Sequence, residues 1–599
     1  MDNDRSSGNR IVVRCIDAEC PWSARFTRVR GLGYICDWKS TNLLHSEFCV
    51  RSFGSEGLSP KAVAAMPAFK SIVSTHHNSP TKSLSMAVEA NLHLRIPDRT
   101  LQRARAFALG NDLESAINDL ANSGAVLAAF ARLNPGAVVG LEVNASNELV
   151  HWFLAFDNSE VLYGILPIIF CDGAFAKNAV CPRGILGISA LTIEMRVVIL
   201  AIACVKNENT ESWTYTLSKF RQTAIGQLVL GGSVLVVSDR DGGLRAAKRA
   251  IFPRAPFLFC ILHIIKNAKQ AGIRGDFKLL VKIAKAASLA ERDRLMVRLN
   301  QSSPALVYWL RAVAGLSDDE WQTAPHGAKG RSLVGIVTNN AAEAANSKLL
   351  RSEHGGQSLR EMTPGPMLSA VIELFSSQAR SLRESSRNLV DRSIKYRIGF
   401  TYASMRMFMQ QQSESRFYDV TERAHGLFVV SRRGTNAVAR LVWRNENGVC
   451  CDCCFFTQFR VLCRHIIAVF STLKSREGPL KNASNIRQLL KQGGIGDAWS
   501  ISRFVKAFGN LHVCSPTAAE VSSDMQQTVF PMNIRLPAPV KQRGRPAKKR
   551  IRSAFEVGRA AVIRRAGIAD GTRCVICFIC SEVGHNMRSC PSLVNEIED

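Results

Sequence analysis

Three carboxylates have the residue types and the local context of a metal-dependent active site. Asp172 lies in the apolar run IIFCDGAF, Asp239 ends the run VLVVSD, and Glu343 lies about one turn into TNNAAEAANSKLL. A carboxylate at the end of a buried strand is costly unless it is hydrogen-bonded, paired or bound to a metal. Converging carboxylates repel one another, and two Mg²⁺ ions about 4 Å apart both relieve that repulsion and support in-line phosphodiester displacement. The pattern indicates nuclease or strand-transfer chemistry.

Taken one at a time, these residues also have ordinary explanations. Asp-Gly and Asp-Arg-Asp-Gly are turn signals, and Glu343 could be a solvated helix residue. Their joint occurrence, in this order and on these elements, favours the active site.

The elements that must position the carboxylates form a mixed α/β pattern. Three successive β-rich runs, VLYGILPIIFCDGAF, GILGISALTI and RVVILAIACV, predict an antiparallel meander. A helix, the strand SVLVVSD, a second helix and the strand APFLFCILH follow, which gives the order βββαβαβ. The first and fourth strands of such a sheet are neighbours, so Asp172 and Asp239 can face each other. A helix that Asn339 or Asn340 could cap would bring Glu343 beside them.

Five segments in this region resemble the transposase domain of Mutator-like elements. They are CDGAF at 171–175, ENTESW at 208–213, SDRDGGL at 238–244, FPRAPFLFCILHIIKN at 252–267 and TNNAAEAAN at 338–346. The resemblance implies a ribonuclease-H-like catalytic core with a helical insertion at about 264–335. It also implies that Asp172, Asp239 and Glu343 are the catalytic triad and hold Mg²⁺ or Mn²⁺.

The resemblance leaves other residues of the region less defined. It requires no acid at Asp241, which we interpret as a helix-entry or turn residue. Cys260 and His263 match a Cys-x-x-His feature of the family, where a core cysteine and a helix-capping histidine are an alternative to a catalytic contribution. Trp309 and Trp321 could stack on unpaired bases, although core packing is the more ordinary role.

Cysteine spacing predicts a zinc site in the C-terminal half of the chain. Of the 18 cysteines, five lie between Cys450 and Cys463, and the pattern Cys451-x-Cys453…Cys463-x-His465 resembles the SWIM zinc finger. Three thiolates and an imidazole suit a closed tetrahedral zinc site, and the run HIIAVF can form a helix that packs against it. The flanking Cys450 and Cys454 leave the register slightly open.

Two further cysteine clusters predict zinc modules at the ends of the chain. The C-terminal pattern has zinc-knuckle spacing, which is typical of small modules that bind single-stranded nucleic acid; its ligands are Cys577, Cys580, His585 and Cys590. The N-terminal pattern resembles the module that precedes Mutator-like transposase domains but departs from its usual His-x-Cys ending; the candidate ligands are Cys15, Cys20, His45 and Cys49. Cys36 is an alternative to one of these ligands, and a structural finger without DNA contact is an equal alternative to a DNA reader.

Charge points to a polyanionic partner. The formal net charge is +28, and residues 541–552, KQRGRPAKKRIR, hold seven Lys or Arg and no acid. Within this segment Arg543, Gly544, Arg545 and Pro546 form the core of an AT-hook, which reads narrow AT-rich minor grooves. A nuclear import signal or a solvated linker explains the same residues.

These observations predict a multi-domain α/β chain with small zinc modules. The expected regions are an N-terminal zinc module at 1–58, a helical DNA-binding or linker region at 59–150, the transposase domain at 151–410, the SWIM region at 411–480, a helical segment and polar linker at 481–540, the AT-hook-like segment at 541–552 and the knuckle at 574–591.

The function predicted from the resemblance is DNA transposition. The protein would bind terminal inverted repeats, cleave the element ends and join the 3′-hydroxyls to target DNA, as a homo-oligomer in the nucleus. The rival interpretations are a non-catalytic DNA-binding regulator derived from such a transposase and a nuclease that acts on RNA. No run of about 20 clean apolar residues and no signal peptide is evident, so we expect no membrane partner and a reducing compartment.

Overall fold

The computed structural model describes most of residues 120–536 and parts of the N-terminal region. Before residue 120 the described ranges are 2–3, 10–14, 22–29, 33–37, 41–42, 53–54, 59–76, 81–92 and 94–108. After residue 120 the gaps are 177, 179–180, 182, 352, 355–356, 397–398, 436–438, 446–447, 478–493, 526–529 and 532. The chain divides into two compact units, Met1–Pro537 and Ala538–Asp599. The second unit, with the predicted AT-hook and knuckle, lies outside the described residues, as do the four N-terminal candidate zinc ligands.

The described part of the N-terminal region contains small sheets and four helices. One antiparallel sheet consists of β1 (Asp2–Asn3), β2 (Arg10–Arg14), β3 (Ser23–Val29) and β4 (Gly33–Cys36), and β5 (Phe53–Gly54) pairs in parallel with β6 (Leu94–Arg95). The helices are α1 (Pro60–Ala65), α2 (Pro67–Thr75), α3 (Thr81–Leu92) and α4 (Asp98–Ala108). Their apolar residues form a core of their own, around Val63, Phe69 and Leu101.

A seven-stranded mixed sheet forms the centre of the first unit. Its strands are β7 (Val138–Val143), β8 (Leu149–Ala155), β9 (Ile165–Ala176), β10 (Arg183–Thr192), β11 (Val197–Val205), β12 (Leu235–Ser238) and β13 (Phe257–Phe259). Their order across the sheet is β13-β12-β9-β10-β11-β8-β7. β12 is parallel to both of its neighbours, and the other pairs are antiparallel. The elements from β9 to β13 follow the order βββαβαβ that the sequence predicts.

The sheet extends further toward the N-terminus than we predicted. We assigned residues 59–150 to a helical region, but β7 and β8 occupy its end and pair along the edge at β11. The β-branched residues Val138, Val139 and Val143 favour a strand there. Their short run gives little periodic signal, and the pairing with β11 is a tertiary contact.

Helices cover the sheet and connect its strands. They are α5 (Ser123–Leu133), α6 (Val161–Gly164), α7 (Thr210–Phe220), α8 (Ala224–Leu230) and α9 (Gly242–Ile251). Asn209 and Thr223 cap α7 and α8 through their side chains. One large apolar core extends from the sheet into the region that follows residue 333.

A helical segment follows β13, as predicted for about 264–335. It contains α10 (Ile261–Gln270), α11 (Phe277–Lys285), α12 (Leu289–Ser302), α13 (Pro304–Tyr308), a π-helical turn (Trp309–Val313), a 3₁₀ turn (Asp318–Glu320) and α14 (Ala324–Ala328). This segment has a separate core that includes Trp309 and Trp321, of which 6% and 2% are exposed. These two rings therefore pack in the core, and base stacking by them is not supported.

The remaining elements carry the third carboxylate and the predicted zinc site. They are α15 (Asn340–Arg351), β14 (Glu353–His354), β15 (Gln357–Ser358), a 3₁₀ turn (Leu359–Glu361), α16 (Pro364–Tyr396), α17 (Tyr402–Ser415), β16 (Tyr418–Ala424), β17 (Leu427–Arg432), β18 (Arg440–Asn445), β19 (Gly448–Cys451), α18 (Phe455–Phe459), α19 (Arg464–Glu477), a 3₁₀ turn (Asp497–Trp499), α20 (Ile501–Phe508) and α21 (Ala518–Asp524). The strands β16 to β19 form an antiparallel sheet in sequence order. No helix in the described part of the chain combines the length and the apolar character that crossing a membrane requires.

Candidate active site and zinc centre

Asp172 and Asp239 lie level with each other on two neighbouring parallel strands, Asp172 within the C-terminal part of β9 and Asp239 directly after β12. Val237 of β12 lies opposite Phe170 of β9. Two residues further along each strand, Asp239 is therefore level with Asp172. Parallel strands end at the same edge of a sheet, which is where ligand sites of α/β proteins form. The predicted neighbourhood of the first and fourth strands is confirmed.

The helix that carries Glu343 is tied to β9 on both sides of Asp172. α15 packs against β9, β10 and β11. The Nδ2 of Asn339, directly before this helix, donates to the carbonyl of Cys171 at 3.3 Å. The Nδ2 of Asn346 donates to Oδ2 of Asp172 at 2.9 Å. Glu343 lies between these two anchors and is exposed.

The carboxylates interact electrostatically, and the surroundings of Asp172 disfavour its charged form. Burial raises the pKa of Asp172 to about 7, and the charges of Asp239, Glu208 and Glu343 add to the shift, while His263 opposes it. Among the described residues, none of the four carboxylates forms an ion pair with a lysine or an arginine. The site therefore gathers negative charge without a lysine or arginine paired to it in the described part of the chain.

Glu208 is a fourth carboxylate that we did not predict for this site. A Cβ atom at Gly173 would clash with the Glu208 carboxylate, so the glycine after Asp172 makes room for it. Trp213 donates from Nε1 to Oε1 of Glu208 at 3.4 Å. Burial, followed by the charges of Asp241 and Asp239, raises the pKa of Glu208 to about 7. The signal in the sequence was a carboxylate at the start of ENTESW, between the third strand and its helix.

Asp241 is the residue that starts α9, as predicted. Its Oδ1 accepts a hydrogen bond from the backbone N–H of Leu244 at 2.9 Å, which is an N-cap. Its own N–H donates to Oδ1 of Asp239 at 3.1 Å. The helix start therefore also orients the Asp239 carboxylate.

Cys260 and His263 lie at the edge of this carboxylate group. The N–H of Cys260 donates to the carbonyl of Ser238 at 2.8 Å, which places it beside the end of β12. The interaction with Cys260 raises the pKa of His263, and the charges of Asp239 and Glu343 add to it. For Cys260, burial opposes ionisation, but the interaction with His263 lowers its pKa overall. The histidine is thus the one titratable base that we find beside the acids in the described residues.

The zinc candidates of the SWIM region lie closer to one another than the carboxylates do. One ligand atom each from Cys451, Cys453, Cys463 and His465 lies within 4.8 Å of all the others. In the described residues this is the only group of three or more potential ligands that meets this spacing, so the three predicted catalytic carboxylates do not. Sγ of Cys451 and Nδ1 of His465 are 3.6 Å apart. These distances suit four ligands that share one Zn²⁺ at about 2.0–2.3 Å.

The local fold explains which cysteines are the ligands. Cys451 ends β19, Cys453 lies in the following turn, and Cys463 and His465 lie at the start of α19. Cys450 is exposed, and Cys454 has a positive φ of 55° at the start of α18. The structure thus selects the register Cys451, Cys453, Cys463 and His465 from the two that the sequence left open.

Two family models match the chain in these regions. The MULE transposase domain matches residues 168–267, and the SWIM zinc finger matches residues 436–474. No curated protein gives a significant match. The first range contains Asp172 and Asp239 but ends before Glu343, and the second contains all four zinc ligands. The resemblance to Mutator-like transposases with a SWIM finger is confirmed, and the matches indicate a transposase-related DNA function and a zinc-binding finger.

Proposed function

We propose that this protein is a metal-dependent DDE transposase. It would bind terminal inverted repeats, cleave the ends of its element and join the 3′-hydroxyls to target DNA. The observation that carries the proposal is the strand register that sets Asp172 level with Asp239 on adjacent parallel strands, under a helix that bears Glu343. The strand order around β9 also supports a ribonuclease-H-like core for residues 151–410, and the MULE match covers residues 168–267 of it.

The donor set fits a hard divalent cation. All four carboxylates offer oxygen ligands, which Mg²⁺ and Mn²⁺ prefer. A bound cation would offset the repulsion between them, which adds to burial in raising the pKa of Asp172. Asp172, Asp239 and Glu343 would hold the ions. When bound, such ions activate a water or a 3′-hydroxyl and stabilise the leaving oxygen in phosphodiester displacement.

The chain's own residues would orient the site. The amide of Asn346 fixes one oxygen of Asp172, and the backbone N–H of Asp241 fixes one oxygen of Asp239. Each carboxylate thus keeps its other oxygen for a ligand. Glu208 would position Asp172 through its contact with Gly173, and His263 would supply a titratable group beside the reacting atoms.

Other parts of the proposal concern partners and location. The proposed function implies that the AT-hook-like segment at 541–552 contacts DNA and that the knuckle at 574–591 binds single strands. It also implies a homo-oligomer that is located in the nucleus. The net charge of +28 supports binding to nucleic acid in general.

The test is cleavage of a candidate terminal repeat with Mg²⁺ or Mn²⁺. We expect the wild-type chain to cut and both Asp239→Asn and Glu343→Gln to lose at least about a thousandfold in rate, because metal-ion catalysis contributes several kcal/mol. Asp241→Asn is the matched control, since it changes an acid two residues away that serves as a helix cap. It should cut at nearly the wild-type rate.

The outcomes separate the rival functions. A wild-type chain that binds the repeat but cuts no substrate would favour the non-catalytic regulator. Equal cutting by wild type and Asp239→Asn would show that the carboxylates are assigned wrongly. Preference for an RNA strand over DNA of the same sequence would favour the nuclease.

A further inference from the structure

A cleft separates the helical segment from the zinc finger. Its volume is about 650 Å³, and its lining comes from the end of α11, from α12, from β16 and from the finger. We call it the finger cleft and define it by Lys285, Arg294, Arg298, Tyr418, Phe455 and Phe459. None of these six residues belongs to the carboxylate site. The zinc ligands Cys453, Cys463 and His465 also line the cleft, so it borders the zinc centre.

One wall of the finger cleft carries free positive charge. Lys285, Arg294 and Arg298 are exposed, and no ion pair joins them to another described residue. Two further arginines in the lining already have partners, since Arg440 pairs with Glu291 at 3.7 Å and Arg464 pairs with Glu414. Glu291 is the one acid among the described residues of the lining, and its charge is offset by Arg440. The cleft is therefore electropositive.

The part of the lining that the finger contributes carries aromatic rings, which we call the aromatic wall. Phe455 and Phe459 lie one turn apart on α18, and their rings stack with centroids 4.2 Å apart and planes 17° apart. Both are half-buried and line the cleft, as does Tyr418, whose ring packs edge-on against His465. Cations and a stacked aromatic pair that line one cleft match the requirements of an unpaired strand: phosphates contact the cations and bases extend the stack.

We infer that the finger cleft binds single-stranded DNA. A duplex keeps its bases stacked on one another and could use only the charged wall, so the aromatic wall favours an unpaired strand over a duplex. The inference goes beyond the proposed cleavage chemistry, because it assigns a binding site that needs neither the carboxylates nor Mg²⁺. Such a site would hold a strand that has left the duplex.

The experiment uses the full zinc-loaded chain in buffer without Mg²⁺. A single-stranded oligodeoxynucleotide that contains 5-iododeoxyuridine is bound, irradiated and mapped by mass spectrometry. We expect crosslinks at Phe455, Phe459 or Tyr418. Crosslinks that map only elsewhere, for example within 574–591, would overturn the inference while leaving the proposed cleavage function untouched.

Binding by matched variants tests the two walls separately. The pair Arg294→Gln and Arg298→Gln should lower the slope of log affinity against log salt by about 1.4, because each phosphate contact contributes about 0.7 for single strands. The control pair Arg274→Gln and Lys278→Gln removes the same charge from exposed positions outside the lining and should leave the slope unchanged. Equal slopes for the two pairs would refute the charged wall.

The aromatic wall is tested by Phe455→Leu and Phe459→Leu. Loss of stacking costs about 1–3 kcal/mol per base, which corresponds to about a 5- to 140-fold weaker affinity for the single strand and little change for a duplex. Phe456→Leu is the control, because Phe456 is on the same helix but outside the lining. Zinc content is measured for each variant, so that damage to the finger is recognised. Equal losses for single strand and duplex, in chains with full zinc content, would mean that the cleft holds a duplex and would overturn the inference.

Discussion

The zinc centre and the carboxylate site are both predicted metal sites, but their ligands are arranged differently. The four zinc ligands lie within 4.8 Å of one another, two of the cysteines are buried in the large core, and a helix starts at the site. The carboxylates come from separate elements, one of them on an exposed helix position, and they do not reach that spacing. The zinc site offers protein ligands for all four coordination positions. The carboxylate site, by contrast, is exposed to solvent on the side of Glu343.

This difference matches what the two kinds of site must do. A structural zinc site satisfies all four coordination positions with protein ligands and contributes to folding. A catalytic site must leave positions for water and substrate, so its ligands cannot close around the ion. The zinc centre is therefore expected to be rigid, whereas the carboxylate site keeps the repulsion between its acids.

The largest expected effect is the loss of the zinc centre. Cys463→Ala should remove zinc and unfold the finger, because structural zinc supplies about 10–16 kcal/mol of apparent binding energy in small fingers. Cys463 and Ile466 belong to the core that includes the central sheet, so we also expect a lower melting temperature for the sheet region. Zinc stoichiometry and a thermal melt measure both effects. Cys450→Ala, at an exposed neighbour outside the ligand set, should leave both unchanged.

The second effect concerns the carboxylate site, where removing a predicted metal ligand should stabilise the metal-free protein rather than destabilise it. The pKa of Asp172 is about 7 in the folded protein and 3.8 ordinarily, so the folded chain holds this proton more tightly than the unfolded chain. The stabilisation from protonation is complete below about pH 3.8 and is lost as the pH rises through about 7. At pH 8 the ionised cluster should therefore destabilise the protein, and Mg²⁺ should raise the melting temperature more at pH 8 than at pH 6.

Asp172→Asn separates this effect from general ion binding. Without Mg²⁺ at pH 8 the variant should melt higher than wild type, by about 2–4 °C for each kcal/mol of relieved repulsion. Its response to Mg²⁺ should be small at both pH values. An Mg²⁺ response in the variant equal to that of wild type would show that the ion binds elsewhere.

A smaller effect is expected at Glu208. Glu208→Gln should slow cleavage, or raise the Mg²⁺ concentration that gives half-maximal cleavage, by about 10- to 100-fold, as is typical of residues that orient metal ligands. Glu211→Gln is the control, because Glu211 is an exposed acid in the first turn of α7, the helix that begins directly after Glu208 and its neighbour Asn209. Identical Mg²⁺ dependence in the two variants would remove Glu208 from the site.

The smallest expected effect is at Asp241. Asp241→Ala removes the cap of α9 and should cost about 0.5–2 kcal/mol of unfolding free energy, measured by denaturant titration. Asp241→Ser keeps a capping oxygen and should recover most of that loss. If the alanine variant loses cleavage without losing stability, Asp241 acts in the chemistry and its assignment as a cap is incomplete.

Residues close in sequence were the easiest to interpret. The patterns Cys-x-Cys and Cys-x-His predicted the zinc ligands, because the two ligands of each pattern are only two residues apart. The fold had to bring just these two pairs together. The order of strands and helices from 165 to 259 followed from apolar runs and turn residues. Asp241 was recognised as a cap because the signal of an N-cap is contained within four residues.

Only the tertiary structure decided which distant residues meet. It placed Glu208 against Gly173, Asn346 against Asp172, and β7 with β8 along the edge of the sheet, and it buried Trp309 and Trp321 in a second core. It also brought the cations of α12 into one cleft with the rings of α18, which lie more than a hundred residues further along the chain. Local propensity and spacing determine elements and compact ligand patterns, since these depend on neighbouring residues. Contacts across the fold depend on how the elements pack, which no short stretch of sequence encodes.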